Sequence, residues 1–284
     1  MKNTAVLLID CPDQKGLVAA IANFLLENNA NILHADQHQD AEHKLFFMRV
    51  EWDLAGFKIA DKDFPRHFEP IAKKFKMNWR LKCQNLKLRV ALFVSKYDHC
   101  FADILYRHKT GDLACDIPLI ISNHSVAKPL ADFHGIPFHE ISVDAKSKGT
   151  AEKRQLELLS KNQIDLVVLA RYMQILSSDF VKHYPDRIIN VHHSFLPAFS
   201  GARPYHQAFE RGVKLIGATS HYVTDTLDDG PIIEQDVIRI SHRDQIDDLA
   251  EKGSELEKSV LSRAIRWHLD QRILIYGKKT VIFD

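Results

Sequence analysis

Two short segments, about thirty residues apart, carry side chains suited to acyl chemistry. In the run Ile189-Asn190-Val191-His192-His193-Ser194-Phe195-Leu196-Pro197 a strand-like stretch ends at a proline-limited loop, the place where α/β sheets present ligand-binding side chains. Residues two apart on a strand share a face. Asn190 and His192 are therefore expected to point into one site, with Val191 and His193 turned elsewhere. An amide N–H can donate to an oxygen that gains charge when a carbonyl is attacked, and losing one such donor costs about 100- to 1000-fold in rate. An imidazole can move a proton at neutral pH. Downstream, His221-Tyr222-Val223-Thr224-Asp225-Thr226-Leu227-Asp228-Asp229-Gly230-Pro231 is an acidic turn ending in Gly-Pro. A carboxylate there would complete a donor, base and orienting group for acyl transfer. Residue types alone do not choose among Asp225, Asp228 and Asp229, and Asp225 and Asp229 also suit a turn for local backbone reasons.

Plainer readings compete with these. Sixteen histidines invite a metal, but there is no HExxH, and the adjacent pair His192 and His193 is expected to face opposite ways, so no metal site is expected. His34, His38 and His43 flank a predicted hairpin and read as surface or turn residues. His206 and His221 read equally well as buttresses and as substrate contacts. The charges of residues 247–266 read as the solvated face of a helix. Tyr172 and Met173, taken alone, read as core.

The elements that must position these groups fall into two sets. Residues 5–9 form a β-rich run, Leu17, Ile21, Phe24 and Leu25 recur at helical spacing, and residues 31–39 and 44–51 flank a polar turn at Asp40-Ala41-Glu42-His43. A second amphipathic helix with Phe64, Phe68, Ile71, Ala72 and Phe75 on one face leads into a short strand at 77–81. This order, βαββαβ, is the ferredoxin-like plan. From about residue 87 the pattern resets to the apolar run Val90-Ala91-Leu92-Phe93-Val94, as in strands covered on both faces. Further strands are predicted at 117–122, 136–141, 166–169 and 188–192, then at 215–223 and 232–240, with a long helix at 245–268. The fold class is α/β, with a ferredoxin-like domain over 1–84 and a Rossmann-like, mostly parallel sheet over 85–284.

Composition bounds the function. The chain has 284 residues, enough for two cores. Its 38 basic and 37 acidic residues nearly cancel, so no whole-chain field draws in nucleic acid or an anionic membrane. No apolar stretch approaches a membrane span, and residues 1–9 read as a first strand and not a signal peptide. Cys11, Cys83, Cys100 and Cys115 are scattered without a CxxC pair, which fits reduced thiols and a cytoplasmic location.

Asn-x-His-x-Ser-x-Leu-Pro followed by Val-Thr-x-x-Leu-Asp-x-Gly-Pro resembles the signature of folate-dependent formyltransferases and their hydrolase relatives. The resemblance runs from about residue 87 to about 240 and implies the formyltransferase fold, with Asn190, His192 and Asp228 as the catalytic set. Residues 168–176 are similar to the family segment that holds the pterin ring. They imply folate contacts from Met173, Gln174, Ile175 and Leu176, joined by Val223, Thr224 and Asp225 of the acidic turn. Family members that formylate glycinamide ribonucleotide bind its phosphate on a Gly- and Ser-rich loop after the first strand. This chain has Ser95-Lys96-Tyr97-Asp98-His99-Cys100 there, without glycine and with an acidic residue, which disfavours a phosphorylated acceptor. The implied acceptor is water. The implied reaction is hydrolysis of 10-formyltetrahydrofolate to formate and tetrahydrofolate, with folate as substrate and product and no separate cofactor, supplying formate for purine synthesis and balancing the one-carbon pool. Residues 1–84 resemble an ACT domain, which implies an amino-acid effector, glycine or methionine, near Asp13 and Gly16, and a homo-oligomer of two or four chains.

Overall fold

In the computed structural model, which describes residues 3–83, 87–198 and 204–284, the chain forms two compact units. The first comprises Met1–Lys87 together with Asp270–Tyr276 and Thr280–Asp284. The second comprises Leu88–Leu269 and Gly277–Lys279.

The first unit runs β1 (Thr4–Pro12), α1 (Leu17–Glu27), β2 (Asn31–Asp40), β3 (Leu45–Asp53), α2 (Phe64–Phe75) and β4 (Asn78–Cys83). Its antiparallel sheet has the order β2-β3-β1-β4, as the ferredoxin-like reading expects. Alternation along β1 explains why residues 5–9 form an unbroken apolar run. Ala5, Leu7, Ile9 and Cys11 join the core that includes Leu17, Ile21, Phe24 and Leu25 of α1 and Phe64, Phe68, Ala72 and Phe75 of α2. Val6 and Leu8 face the other way and pack with Phe47, Leu274, Val281 and Phe283. That second face is covered by a C-terminal hairpin absent from the sequence reading, described below. Arg49 lies on the same face of β3 as Phe47. Its Nη2 donates to Glu51 at 2.9 Å and to the Asp270 carbonyl at 3.2 Å, and its Nε donates to the Gln271 carbonyl at 3.0 Å.

Asp13 and Gly16 sit in the turn between β1 and α1. Gly16 has φ 93°, a conformation that glycine adopts without steric cost. Asp13 accepts a hydrogen bond from Gln39 Nε2 at 2.5 Å. His34, His38 and His43 lie on β2 and the turn after it, and His43 Nδ1 is 2.9 Å from Asp40.

The second unit is a doubly wound sheet. Its elements are β5 (Leu88–Val94), α3 (His99–Thr110), β6 (Cys115–Ser122), α4 (Lys128–Phe133), β7 (Phe138–Glu140), α5 (Lys148–Lys161), β8 (Leu166–Leu169), α6 (Ser178–His183), β9 (Ile188–His192), α7 (Pro204–Arg211), β10 (Leu215–Tyr222), β11 (Ile232–Arg239) and α8 (Ile246–Leu269). The chain ends with the hairpin β12 (Ile273–Tyr276) and β13 (Lys279–Ile282). Seven strands lie in the order β11-β10-β9-β8-β5-β6-β7. Strands β5 to β9 pair in parallel, while β10 is antiparallel to both β9 and β11. The winding reverses between β5 and β8, and in such sheets the crevice beyond the carboxyl ends at that reversal is where ligands bind.

All four cysteines are free, with Cys11, Cys100 and Cys115 buried. No helix among the described residues is long and apolar enough to cross a membrane. Burial of Phe283, which is 2% exposed in the hairpin cluster, sets a stability expectation. Phe283→Ala lowers stability by about 3–5 kcal/mol through lost transfer energy and a residual cavity, whereas Leu26→Ala, at a 73% exposed position, changes it by about 0.5 kcal/mol or less. Urea unfolding of the two variants checks the contrast.

Candidate active site

The site forms where the sheet changes from parallel to antiparallel. Pairing of β9 with β10 sets Asn190 directly opposite His221 and His192 opposite Thr219. Such cross-strand pairs share a face with their Cβ atoms about 5 Å apart. Asn190 Nδ2 accordingly lies 3.2 Å from His221 Nε2, and His221 Nδ1 lies 2.9 Å from the Tyr222 carbonyl. The carbonyl can only accept, so His221 carries its proton on Nδ1. Its Nε2 then accepts from Asn190, which fixes the amide's orientation and leaves its second N–H available. Burial holds the His221 pKa below its ordinary value, so the ring stays neutral.

The acidic turn brings Asp228 to the same place. Its Oδ1 lies 3.4 Å from His192 Nδ1 and 3.9 Å from His221 Nε2. The neighbouring His192 ring holds its carboxyl below the usual range against the opposing effect of burial, so Asp228 is ionised at neutral pH. Two backbone features place it. Asp228 itself is left-handed at φ 55°. At Gly230 any Cβ would stand 1.7 Å from the Tyr222 carbonyl oxygen, so only glycine lets the turn close against β10. The other ring nitrogen of His192, Nε2, is buried and has no hydrogen-bond partner.

These groups border one cavity of about 330 Å³, within the range typical of small-molecule sites. All seven folate candidates line it: Met173, Gln174, Ile175 and Leu176 on one side, Val223, Thr224 and Asp225 on the other. Met173, Ile175 and Leu227 are 54%, 60% and 58% exposed although they line it, the apolar rim expected where a ligand covers the surface. The 170–176 segment has no regular structure and is pinned at both ends. Ala170 N–H donates to the Phe93 carbonyl at 2.9 Å, and Ser177 donates to Glu152 through its N–H at 2.8 Å and its hydroxyl at 2.5 Å. A larger depression of about 980 Å³ between α5 and α6 holds none of the candidate residues.

Several expectations are corrected. His193 does not turn away from His192. It lies one residue beyond β9, where strand alternation no longer applies, and its ring lies 5.2 Å from that of His192 and lines the same cavity. Burial and the nearby Arg171 charge push its pKa down to about 4. Helix α8 is not simply solvated, since Glu257 is 1% exposed. Its carboxylate accepts from Tyr205 at 2.7 Å and Arg171 at 3.3 Å and lies 2.7 Å from His99 Nε2. Burial opposes its ionisation, but these partners outweigh burial and hold its pKa down. His99, Cys100 and Glu257 bring three potential metal ligands within 4.8 Å. The Arg171 guanidinium already occupies the carboxylate, and burial raises the Cys100 pKa and keeps the thiol protonated, so the cluster is a poor cation site. Tyr172 is core, packed on Phe93 and bonded to Gln155, while Met173 lies on the rim. His206, on α7, does not line the cavity, and Asp229 pairs with Lys278.

Residues 88–265 match the formyl transferase family and residues 5–55 match the ACT domain. The chain is similar to a formyltetrahydrofolate deformylase of Synechocystis sp., with 54% identity over 99% of this chain and 98% of the relative. A Bacillus subtilis protein of the same name is 49% identical over 98% and 93%. Among solved structures, a formyltetrahydrofolate deformylase from Pseudomonas syringae superposes with a TM-score of 0.97 at 47% identity, covering 100% of this chain and 95% of that one. A glycinamide ribonucleotide transformylase from Symbiobacterium toebii superposes at 0.68 with 30% identity, covering 72% and 98%.

The depressed histidines set the acid response. Below the ordinary histidine pKa of 6.5, the unfolded chain binds protons that His193 and His221 refuse in the folded state. Stability is therefore fully present above pH 6.5 and falls as the pH drops toward 4, by about 1.4 kcal/mol per pH unit for each proton wholly refused. Urea midpoints at pH 7.5 and 5.0 should differ in this sense, and His193→Asn should narrow the gap.

Proposed function

Because the chain belongs to the formyltetrahydrofolate deformylase family, in which an ACT domain precedes a formyl transferase domain, we propose that Asn190, His192 and Asp228 carry out its hydrolysis of 10-formyltetrahydrofolate to formate and tetrahydrofolate. The observation that carries this assignment is the convergence of an amide donor, an imidazole with one unpartnered nitrogen and an ionised carboxylate on a single cavity. The pterin lies between the 173–176 segment and the 223–225 turn, against their exposed apolar side chains. The formyl group then faces Asn190 and His192.

A water held by His192 and Asp228 attacks the formyl carbon. Its oxygen forms the new C–O bond, and its proton passes to the imidazole and carboxylate pair. Asn190 donates its available N–H to the developing oxyanion, joined by the protonated His192. The C–N10 bond breaks, N10 takes up the proton, and formate and tetrahydrofolate leave. The substrate folate is the only organic group this scheme requires. The reaction fits a cytoplasmic enzyme that supplies formate to purine synthesis.

Asn190→Ala is expected to lower formate release by about 100- to 1000-fold, and Asp228→Ala comparably, while folate affinity stays close to wild type. Single-turnover assays with 10-formyltetrahydrofolate, paired with folate titration, check both, and near-normal formate release from either variant rejects the assignment. The same assay separates hydrolysis from transfer to an amine, because a transferase makes no formate when no amine is present.

The ACT domain supports regulation by a small amino acid, with glycine or methionine bound near Asp13 and Gly16, in a dimer or tetramer. Either amino acid at millimolar concentration should raise the melting temperature or change turnover, and Asp13→Ala should abolish the effect. No response to either ligand would leave the domain with an assembly role only.

A further inference from the structure

Once the proposed catalytic groups, the folate candidates, His221 and the core residue Tyr172 are accounted for, Arg171 and His193 are the charged or titratable side chains left on the cavity wall. Arg171 is held in an unusual way. Its backbone is left-handed at φ 60°, a conformation that strains a non-glycine residue and persists only where the surroundings enforce it. Its side chain is 8% exposed, and its Nε–H is buried without an acceptor, which leaves the desolvation of that donor uncompensated. A residue kept at such expense is placed for something other than stability.

Two contacts show what holds it. The guanidinium carbon stands 5.0 Å from the centre of the Tyr97 ring, and Nη1 reaches Glu257 at 3.3 Å. Tyr97 and His99 both belong to the segment after β5, and His99 Nε2 meets the other oxygen of Glu257 at 2.7 Å. Tyr205 completes the cluster through Glu257, and its ring lies 5.9 Å from that of His193. The segment after β5 is thus fastened across the point where the sheet's winding reverses. Arg171 is clamped between a ring and a carboxylate and lines the same cavity as His193.

We propose that Arg171, held by Tyr97 and Glu257, is the wall that fixes water as the formyl acceptor. The inference rests on the hydrolase reading above. The clamped guanidinium fills the approach beside His193 along which a nucleophile larger than water would reach the formyl carbon. Glu257 and His99 are positioning residues that keep it there. With the wall opened, a small amine enters. Its nitrogen forms the bond to the formyl carbon, the C–N10 bond breaks, N10 takes up the amine's proton, and an N-formyl product leaves in place of formate.

Hydroxylamine tests this directly, since it carries a strong neutral nucleophile barely larger than water. The full-length enzyme is supplied with 10-formyltetrahydrofolate and excess hydroxylamine at neutral pH. Formate and formohydroxamate are both measured, with a reaction lacking enzyme subtracted. Wild type should release formate almost exclusively. Arg171→Ala and Tyr97→Ala should each raise the ratio of formohydroxamate to formate at least tenfold, whatever happens to total turnover. The ratio does not depend on how much protein is folded, so a merely structural role leaves it unchanged. Tyr97 is 56% exposed, so its variant keeps the test available if Arg171→Ala does not fold. An unchanged ratio in either variant, loss of turnover in both without any formohydroxamate, or a wild-type ratio already as high as theirs overturns the inference. Absence of formate from wild type without hydroxylamine would instead overturn the hydrolase reading.

Discussion

The antiparallel pairing of β9 with β10 is the constraint on which the site depends. Five strands of the sheet run parallel, and parallel strands present their carboxyl ends, and the loops that follow them, on one edge. A single antiparallel neighbour at β9 does something that a parallel strand could not do at short range. It puts His221 directly opposite Asn190 and leads, through its own carboxyl end, into the turn that carries Asp228. The amide, both histidines and the carboxylate then meet through strand register and one short turn. The register cannot slip without cost, because a one-residue shift would move these side chains to the opposite face and expose the apolar ones between them. Thr219 reinforces it from the next same-face position, donating to the Ser194 carbonyl at 2.8 Å and accepting from Leu196 N–H at 3.0 Å. The turn that follows the site histidines is thereby tied to the strand that pairs with them.

Backbone strain concentrates at the same place. Nine non-glycine residues among those described have positive φ, and three of them, Arg171, Met173 and Asp228, line the one cavity. Others of the nine have ordinary structural explanations, such as Lys76 at the end of α2 and Lys44 beside the hairpin turn. A left-handed residue in a loop is held only when its surroundings over-determine it. Here they do: Glu152 and the Phe93 carbonyl anchor the 170–176 segment, and the close approach of Gly230 to Tyr222 anchors the acidic turn.

Much of this could be read from the sequence, and the reasons are local. The apolar run of β5 announces a strand covered on both faces, the period-two spacing of Asn190 and His192 announces a shared face, and the strands expected at 166–169 and 188–192 formed there. The resemblance to formyltransferases singled out Asp228 among three carboxylates, and the turn places Asp228 beside His192 while Asp229 pairs with Lys278. What escaped the sequence is non-local. Glu257 sits in a stretch of α8 rich in both signs of charge, and nothing in its spacing marks it as buried beneath Arg171. His193 follows the last residue of its strand, where alternation has already ended. The C-terminal hairpin left one indirect sign: Val6, Leu8 and Phe47 give the first sheet a second apolar face that its two helices do not cover.

The Arg171 and Glu257 pair shows how burial and function interact here. Taking two charges out of water costs several kcal/mol per ion, and their mutual attraction rarely returns more than that loss. A pair kept only for stability would do as well replaced by apolar groups of the same volume. In this protein the carboxylate is met by Tyr205, His99 and Arg171 together, while the arginine keeps an unmet Nε–H and stacks on a ring that is itself largely exposed. The acid is satisfied and the base is not. That asymmetry marks Glu257 as the group that holds Arg171, whose Nε–H stays buried and unpaired while the residue lines the cavity. The buried charge on α8 and the strained loop after β8 therefore act as one unit, anchored in the helix through Glu257 and ending in Arg171 on the cavity wall.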